Sequence, residues 1–209
     1  MDGLIIDSEP IYKMAWRRAC NEHGFELSDE DHTNLKGRGR KSALIEVQKH
    51  AARLSVPLDL GVFVPTLNKY EALYFGSEPV QSKIGLLELL DFLDQRKIPC
   101  AVATSASKKT ALHHLTSLNI VERFQAIVGG DEVQRGKPAP DIFLEAGLRL
   151  GIEPEFCLVL EDSEHGIEGA KTAGMRAIRI PDGITKEEIP YSKADLMIDS
   201  LNEVIALLR

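Results

Sequence analysis

Three clusters of polar residues stand where short apolar runs end. Thr104 and Ser105 follow "CAVA", Gly129, Gly130 and Asp131 follow "AIV", and Glu161, Asp162 and Ser163 follow "CLVL". Between the last two, "RGKPAPD" puts Lys137 on a proline-stiffened loop just ahead of a helix. Singly, each has an ordinary reading: a Thr-Ser pair caps a helix, "KPAPD" makes a turn, an acidic pair faces solvent. Together they supply a hydroxyl, an ammonium and two or three carboxylates. Carboxylates hold a hard cation such as Mg2+ through oxygen, while the hydroxyl, backbone amides and lysine hold the non-bridging oxygens of a phosphoryl group. Phosphoryl transfer asks for little beyond positioning and charge neutralisation of that kind. The residue types point to Mg2+-assisted phosphoryl transfer.

Such a set works only if the elements bring it to one edge. From residue 79 onward short apolar strands alternate with helices. "CAVAT", "AIVGG", "CLVLE", "AIRI" and "ADLMI" read as strands, while "LLELLDFLDQR", "KKTALHHLTSL", "PDIFLEAGLRL", "GIEGAKTAG" and "LNEVIALLR" read as helices. Strands buried on both faces and separated by helices predict an α/β fold with a doubly wound, Rossmann-like parallel sheet. Ligands in such sheets sit at the carboxyl ends of the strands, where the polar clusters stand. Residues 10–78 have a helical rhythm instead. Pro10 suits a first turn, Ile11, Ala15 and Ala19 recur every four residues, and Gly24 closes the helix. Ser28 with Asp31 three residues on predicts a capped second helix. "KSALIEVQKHAARL" and "PTLNKYEALYF" supply two more. The expected organisation is a core of residues 1–9 and 79–209, with an inserted all-helical cap at 10–78.

Composition narrows the classes. With 44% hydrophobic and 27% charged residues in 209, the chain reads as globular, and its net charge of −7 gives no reason to expect nucleic acid or an anionic membrane as partner. Cys20, Cys100 and Cys157 are odd in number, widely spaced and set among apolar residues, the pattern of reduced thiols in a cytoplasmic protein. No apolar run approaches the roughly 20 residues of a membrane span, and the opening residues lack the pattern of a leader.

Four segments in order, "MDGLIIDSEP", "VATSAS", "GKPAPDIF" and "LEDSEHGIEGAKTAGM", resemble the haloacid dehalogenase superfamily, and within it the helical-cap branch of small-molecule phosphatases and β-phosphoglucomutases. The resemblance covers essentially the whole chain. It implies that Asp2 is the general acid/base, with its backbone carbonyl on Mg2+. Thr104, helped by the amide of Ser105, would bind the transferring phosphoryl and Lys137 would neutralise it. Asp162 would bind Mg2+ directly, with Glu161 in support. The family pattern D-x-D-G begins here at its second letter, so the nucleophilic aspartate falls one position before Met1, at the end of a central strand. Without that residue the 209 residues are expected to be inactive, and without that strand its two neighbours are left unpaired. A start placed downstream of the true one is the preferred explanation. A catalytically silent binder of phosphorylated ligands is the alternative.

The cap segment "NLKGRGRKSA" carries Lys36, Arg38, Arg40 and Lys41. It is either a solvated basic loop or, as its likeness to the "LKG" loop of β-phosphoglucomutases implies, a grip on an anionic leaving group, with Arg40 and Lys36 foremost. The position where those mutases carry a histidine is Tyr12, and "DSEP" before it is more like the sugar-phosphate phosphatases. Phosphatase therefore ranks above mutase, and a small phosphomonoester is the expected partner, in a monomer or weak homodimer. The six histidines form no evident metal cluster. A phosphorelay receiver uses similar residues, but there the lysine closes the set, whereas here Glu161 and Asp162 follow Lys137.

Overall fold

A computed structural model of the chain describes residues 1–35, 40–77, 80–182, 189 and 191–209. It divides into two compact units, one of Met1–Asp7 with Val80–Arg209 and one of Ser8–Pro79. Among the described residues no helix is long and apolar enough to cross a membrane.

The second unit is helical: α1 (Glu9–Glu22), α2 (Asp29–Thr33), α3 (Arg40–Arg53) and α4 (Leu60–Ser77). Glu9, placed with the core by the sequence pattern, instead opens α1, with Pro10 in its first turn. Ile11, Ala15 and Ala19 line the buried face. The helix closes as the amide of Phe25 bonds back to the Cys20 carbonyl (3.2 Å). Ser28 and Asp31 form the expected reciprocal cap of α2, with the Asp31 amide donating to Ser28 Oγ and the Ser28 amide to Asp31 Oδ2, both at 3.1 Å. α4 departs from the sequence reading, which began that helix at Pro65. It starts a turn and a half earlier, because Asp59 accepts the Gly61 amide (2.7 Å) and burial of Phe63 draws the preceding turn onto the core. Phe63 is the centre of that core, edge-on to His23 and tilted against Trp16.

The first unit holds the strands. β1 (Ile6–Asp7) pairs antiparallel with β2 (Gln81–Ser82), joining the two chain segments of the unit. There follow α5 (Leu86–Arg96), β3 (Ala101–Ala103), α6 (Lys108–Ser117), β4 (Ala126–Val128), α7 (Asp141–Leu150), β5 (Leu158–Glu161), α8 (Glu164–Thr172), β6 (Arg176–Arg179), β7 (Leu196–Met197) and α9 (Leu201–Leu207). β3 and β4 run parallel with α6 between them, as do β5, β6 and β7, with α8 between the first two. α7 and α8 pack one face through Ile142, Phe143, Ala146, Ile167 and Ala170 against Val128, Val159 and Ala177. α5 and α9 pack on each other.

The expected sheet is therefore parallel and helix-covered, but it is interrupted. Among the described residues no strand joins β3 to β5. The apolar Leu4–Ile6 stretch does not fill the gap. It is turned away by Gly3 (φ +70°) and by the Met1 carbonyl, which accepts the amides of Leu4, Ile5 and Ile6 at 3.3, 2.7 and 3.1 Å.

Phe63→Ala is expected to cost the helical unit about 3–5 kcal/mol. Urea denaturation followed by far-ultraviolet circular dichroism checks it, and a loss under 1 kcal/mol would show that Phe63 is not the centre of that core.

Candidate active site

The polar clusters gather at the carboxyl ends of the strands. Thr104 continues β3; it is almost fully buried, and its amide donates to the Val128 carbonyl (3.0 Å). Its Oγ1 accepts the Ala106 amide (3.2 Å), which turns the chain into α6 at Ser107, whose side chain caps the helix. The turn is held from below as well. Asp131 Oδ1 accepts the Lys108 amide (2.7 Å), and the Gly130 amide donates to the Ala106 carbonyl (2.8 Å). Ser105 thus sits in a pinned loop at a helix N-terminus, where amides favour an anion.

Glu132 locks that loop to the rest. One of its oxygens accepts the Gly129 amide at 2.9 Å; the other faces Lys108 Nζ at 3.0 Å and Arg149 at 3.1 Å. The amide first, then the two cations, hold its carboxyl down from 4.5 to about 2.

Lys137 is nine-tenths buried, and its ammonium bonds Glu161 Oε2 at 3.0 Å and the Ala103 carbonyl at 3.3 Å. Its Nζ also lies 5.0 Å from the centre of the Phe143 ring. One side chain thereby ties the carboxyl end of β3 to that of β5. The other oxygen of Glu161 accepts the Ser163 hydroxyl (2.6 Å), and Ser163 in turn accepts the Gly166 amide as the cap of α8. Gly166 is required by this approach: a Cβ there would lie 2.1 Å from Glu161 Cδ. Burial works against ionised Glu161, but Lys137 and the amino group of Met1 outweigh it and hold the carboxyl low.

Asp162 is the opposite case. Burial, and then the Glu161 charge beside it, push its carboxyl up, with the Met1 ammonium acting the other way. Its backbone carbonyl accepts from Arg179 Nε (3.1 Å). Gly3 comes so close that a Cβ would lie 2.7 Å from Asp162 Oδ2 and 2.9 Å from Asp182 Oδ2, and Asp182 is anchored by Lys83 at 2.6 Å. Asp2, next to Gly3, also acts electrostatically on His114, whose buried ring is otherwise driven towards its neutral form by desolvation.

Contacts therefore run from Thr104 and Ser105 through Lys137 and Glu161 to Asp162, Gly3 and Asp2. Arg40 belongs to the helical unit, where Glu71 holds it at 3.0 and 2.8 Å and Asn68 accepts a further bond. Lys36 and Arg38 lie outside the described residues. The sequence reading named Ser163 without giving it a role and left out Gly166, Glu132 and the Asp182–Lys83 pair. Ser-x-x-Gly at a strand-to-helix junction was a usable signal for the first two. Nothing local announces the others, whose partners are 24 or more residues away in the case of Glu132–Lys108 and 99 for Asp182–Lys83.

The donor set suits Mg2+. Asp162 is a buried carboxyl short of a neutralising charge. Among the described residues no cluster of three or more His, Cys, Asp or Glu forms a metal cage. Mg2+ needs none, since it takes one or two carboxylates and fills its remaining positions with substrate oxygens and water.

Comparison with known proteins agrees with this geometry. Residues 1–180 match the family model for haloacid dehalogenase-like hydrolases. The phosphorylated carbohydrates phosphatase of Thermotoga maritima is 33% identical over 178 residues, covering 85% of this chain and 81% of that protein. The β-phosphoglucomutase of Bacillus subtilis is 28% identical over 209 residues, covering 97% and 92%. A solved HAD family hydrolase from Deinococcus radiodurans, with bound phosphate and sodium, superposes with a TM-score of 0.77 at 25% identity, covering 100% of this chain and 92% of that one. The chain belongs to the haloacid dehalogenase-like hydrolases. Within them it falls in the β-phosphoglucomutase-like branch, with an α/β Rossmann-like core and a helical cap.

Two predictions follow from the supporting contacts. Glu132 has a folded-state pKa below its unfolded one, so its stabilisation is complete above about pH 4.5 and is lost as pH falls towards 2. Glu132→Gln is expected to cost about 1 kcal/mol at pH 7, discounted for its partial exposure, and little near pH 2.5; an equal cost at both pH values would exclude the charge as the cause. Gly166→Ala is expected to cost about 2–3 kcal/mol because buried Glu161 has no room to move, and thermal melts that superpose on the parent would show otherwise.

Proposed function

We propose that the protein is a Mg2+-dependent phosphatase of a small phosphorylated metabolite, a sugar phosphate foremost, acting through an aspartyl-phosphate. The observation that carries this reading is the buried Lys137 ammonium, fixed between the Ala103 carbonyl and Glu161, the chain neighbours of Thr104 and Asp162. A lysine, a hydroxyl and carboxylates on one sheet edge neutralise and orient a phosphoryl group. The family membership and the carbohydrate-phosphate relative support the substrate class.

Thr104 Oγ1 and the Ser105 amide hold two non-bridging oxygens, and Lys137 offsets their charge. Asp162, with Glu161 in support, and the Asp2 carbonyl would hold Mg2+, which would supply the remaining neutralisation when bound. In the D-x-D-G pattern that the resemblance implies, the nucleophilic aspartate forms the new O–P bond as the P–O bond to the leaving group breaks, and Asp2 gives that oxygen its proton. Asp2 then takes a proton from water, whose oxygen displaces the carboxylate and releases inorganic phosphate. Both oxygens of Glu161 are already engaged, so it serves best by orienting Lys137. The protein is proposed to act in the cytoplasm, as a monomer or weak homodimer, without nucleic-acid or membrane partners.

A phosphosugar mutase is the second reading. The Arg40 loop and the Bacillus subtilis relative favour it, whereas Tyr12, stacked edge-on against Phe75 where the mutases have histidine, favours the phosphatase. A catalytically silent binder of phosphorylated ligands is the third reading.

The test is phosphate release from a panel of sugar phosphates with Mg2+. A chain carrying an apolar strand and aspartate directly before Met1 is expected to turn over. Its Asp→Asn counterpart and the unextended 209 residues are expected to be silent. Lys137→Ala in the extended chain is expected to lose at least about 100-fold in kcat. An extended chain inert on the whole panel overturns the enzyme reading, and turnover only with a bisphosphate activator selects the mutase.

A further inference from the structure

β6 carries a charge where its neighbours are apolar. In "AIRI", Arg179 stands between Ile178 and Ile180 and is nearly as buried as they are, with 9% of its surface exposed. Ala177, two residues earlier, packs with Ile142 of α7 and Ile167 of α8, so alternation along the strand turns Arg179 towards the same helical layer. A guanidinium cannot shed its proton there, and its burial requires partners.

Two groups take its hydrogen bonds. Arg179 Nη1 donates to Glu164 Oε2 at 2.9 Å, and Nε donates to the Asp162 carbonyl at 3.1 Å. Glu164 has further donors: the Ser192 hydroxyl bonds the same oxygen at 2.7 Å, and the Lys193 amide bonds the other at 2.8 Å. Holding Glu164 therefore does not by itself call for an arginine inside the sheet. The Asp162 carbonyl has the greater need. The Glu161 carbonyl accepts the Ile180 amide as the last rung between β5 and β6, and the Ser163 carbonyl accepts the Ile167 amide as the first turn of α8. Asp162 falls between these two ladders, and a buried carbonyl there must find a donor elsewhere. Arg179 supplies it, while Glu164, at the start of α8, braces the other arm of the guanidinium.

Fixing the main chain at Asp162 also fixes the root of its side chain. That carboxylate is directed at Gly3, next to Asp2, whose carbonyl is the other proposed ligand of the cation. We propose that Arg179 is a positioning residue for the divalent cation: it ties the Asp162 peptide to β6 and, through Glu164, to α8, and so holds the Asp162 carboxylate where Mg2+ is bound. The inference rests on the reading that Asp162 holds Mg2+. It also has a sign of its own. A positive charge near a cation site repels the ion, so removing an arginine that acted only through its charge would tighten metal binding. Removing one that aims a ligand weakens it.

The experiment titrates Mn2+ into the protein, with Mg2+ as competitor, and reads the free ion by electron paramagnetic resonance, so turnover plays no part. Arg179→Met keeps the apolar stem and removes every donor. It is expected to bind Mn2+ at least about tenfold more weakly than the parent, with Asp162→Asn as the reference for loss of the ligand itself. Affinity equal to the parent's, or tighter, in Arg179→Met while Asp162→Asn is impaired overturns the positioning role and leaves Asp162 as the ligand. A parent that binds no Mn2+, or an Asp162→Asn variant that binds as well as the parent, overturns the Mg2+ reading and this inference with it. If far-ultraviolet circular dichroism shows Arg179→Met unfolded, Arg179→Lys decides: its charge can still face Glu164, but a methylene stands where Nε reached the carbonyl. A loss of at least about threefold is expected there, and parental affinity overturns the proposal.

Discussion

The buried ion pair between Lys137 and Glu161 is the contact on which the site depends. Both side chains are more than nine-tenths buried, so the loss of either would strand the other charge in a medium where an unpaired ion costs several kcal/mol. The pair fixes where the ammonium stands relative to Thr104, and it commits Glu161 to a position that Gly166 must make room for. It also draws together two pieces of sheet that share no backbone hydrogen bond among the described residues. Burial first, and then the charge of ionised Glu161 beside it, pushes the Asp162 carboxyl up.

Against that single polar bridge stands a large apolar void. The apolar cavity beside it has a volume of about 590 Å3 and is partly open. Helices on both faces would still cover a filled sheet, so the void is a defect of one layer. The catalytic edge lies at the end of that layer, and support for Thr104 and Asp162 comes from their outer neighbours, β4 and β6, on one side only.

Much of this was legible in the sequence. Apolar runs bounded by glycine and by capping residues gave the strands and helices of the core; reading just past the runs singled out Thr104, Glu161 and Asp162, and the proline-stiffened loop "RGKPAPD" singled out Lys137. The Ser28–Asp31 cap was visible because it is local. What stayed hidden was set by distance or by space. Pro65 marks the start of a helix by its own chemistry, but the burial of Phe63 two residues earlier draws an extra turn into α4. Gly166 is an unremarkable helical residue until Glu161 is seen against it. Glu132 looks like a surface acid until the chain folds Lys108 and Arg149 onto it. The short β1–β2 pairing joins Ile6 to Ser82 and Asp7 to Gln81, 76 and 74 positions apart in sequence, which no periodicity reveals.

The two parallel pieces of sheet also bear on how the chain folds. β3, α6 and β4 are contiguous within residues 101–128, and β5, α8 and β6 within 158–179, each a complete strand–helix–strand unit with parallel strands. Both can form from contacts close in sequence, and such contacts form early because little loop entropy is spent on them. The docking of one unit on the other then waits for Lys137 to find Glu161, 24 residues away. This gives the core two nucleation centres and one late, charge-dependent assembly step, a kinetic order in which the apolar flanks of β3 and β5 stay open to solvent until the end.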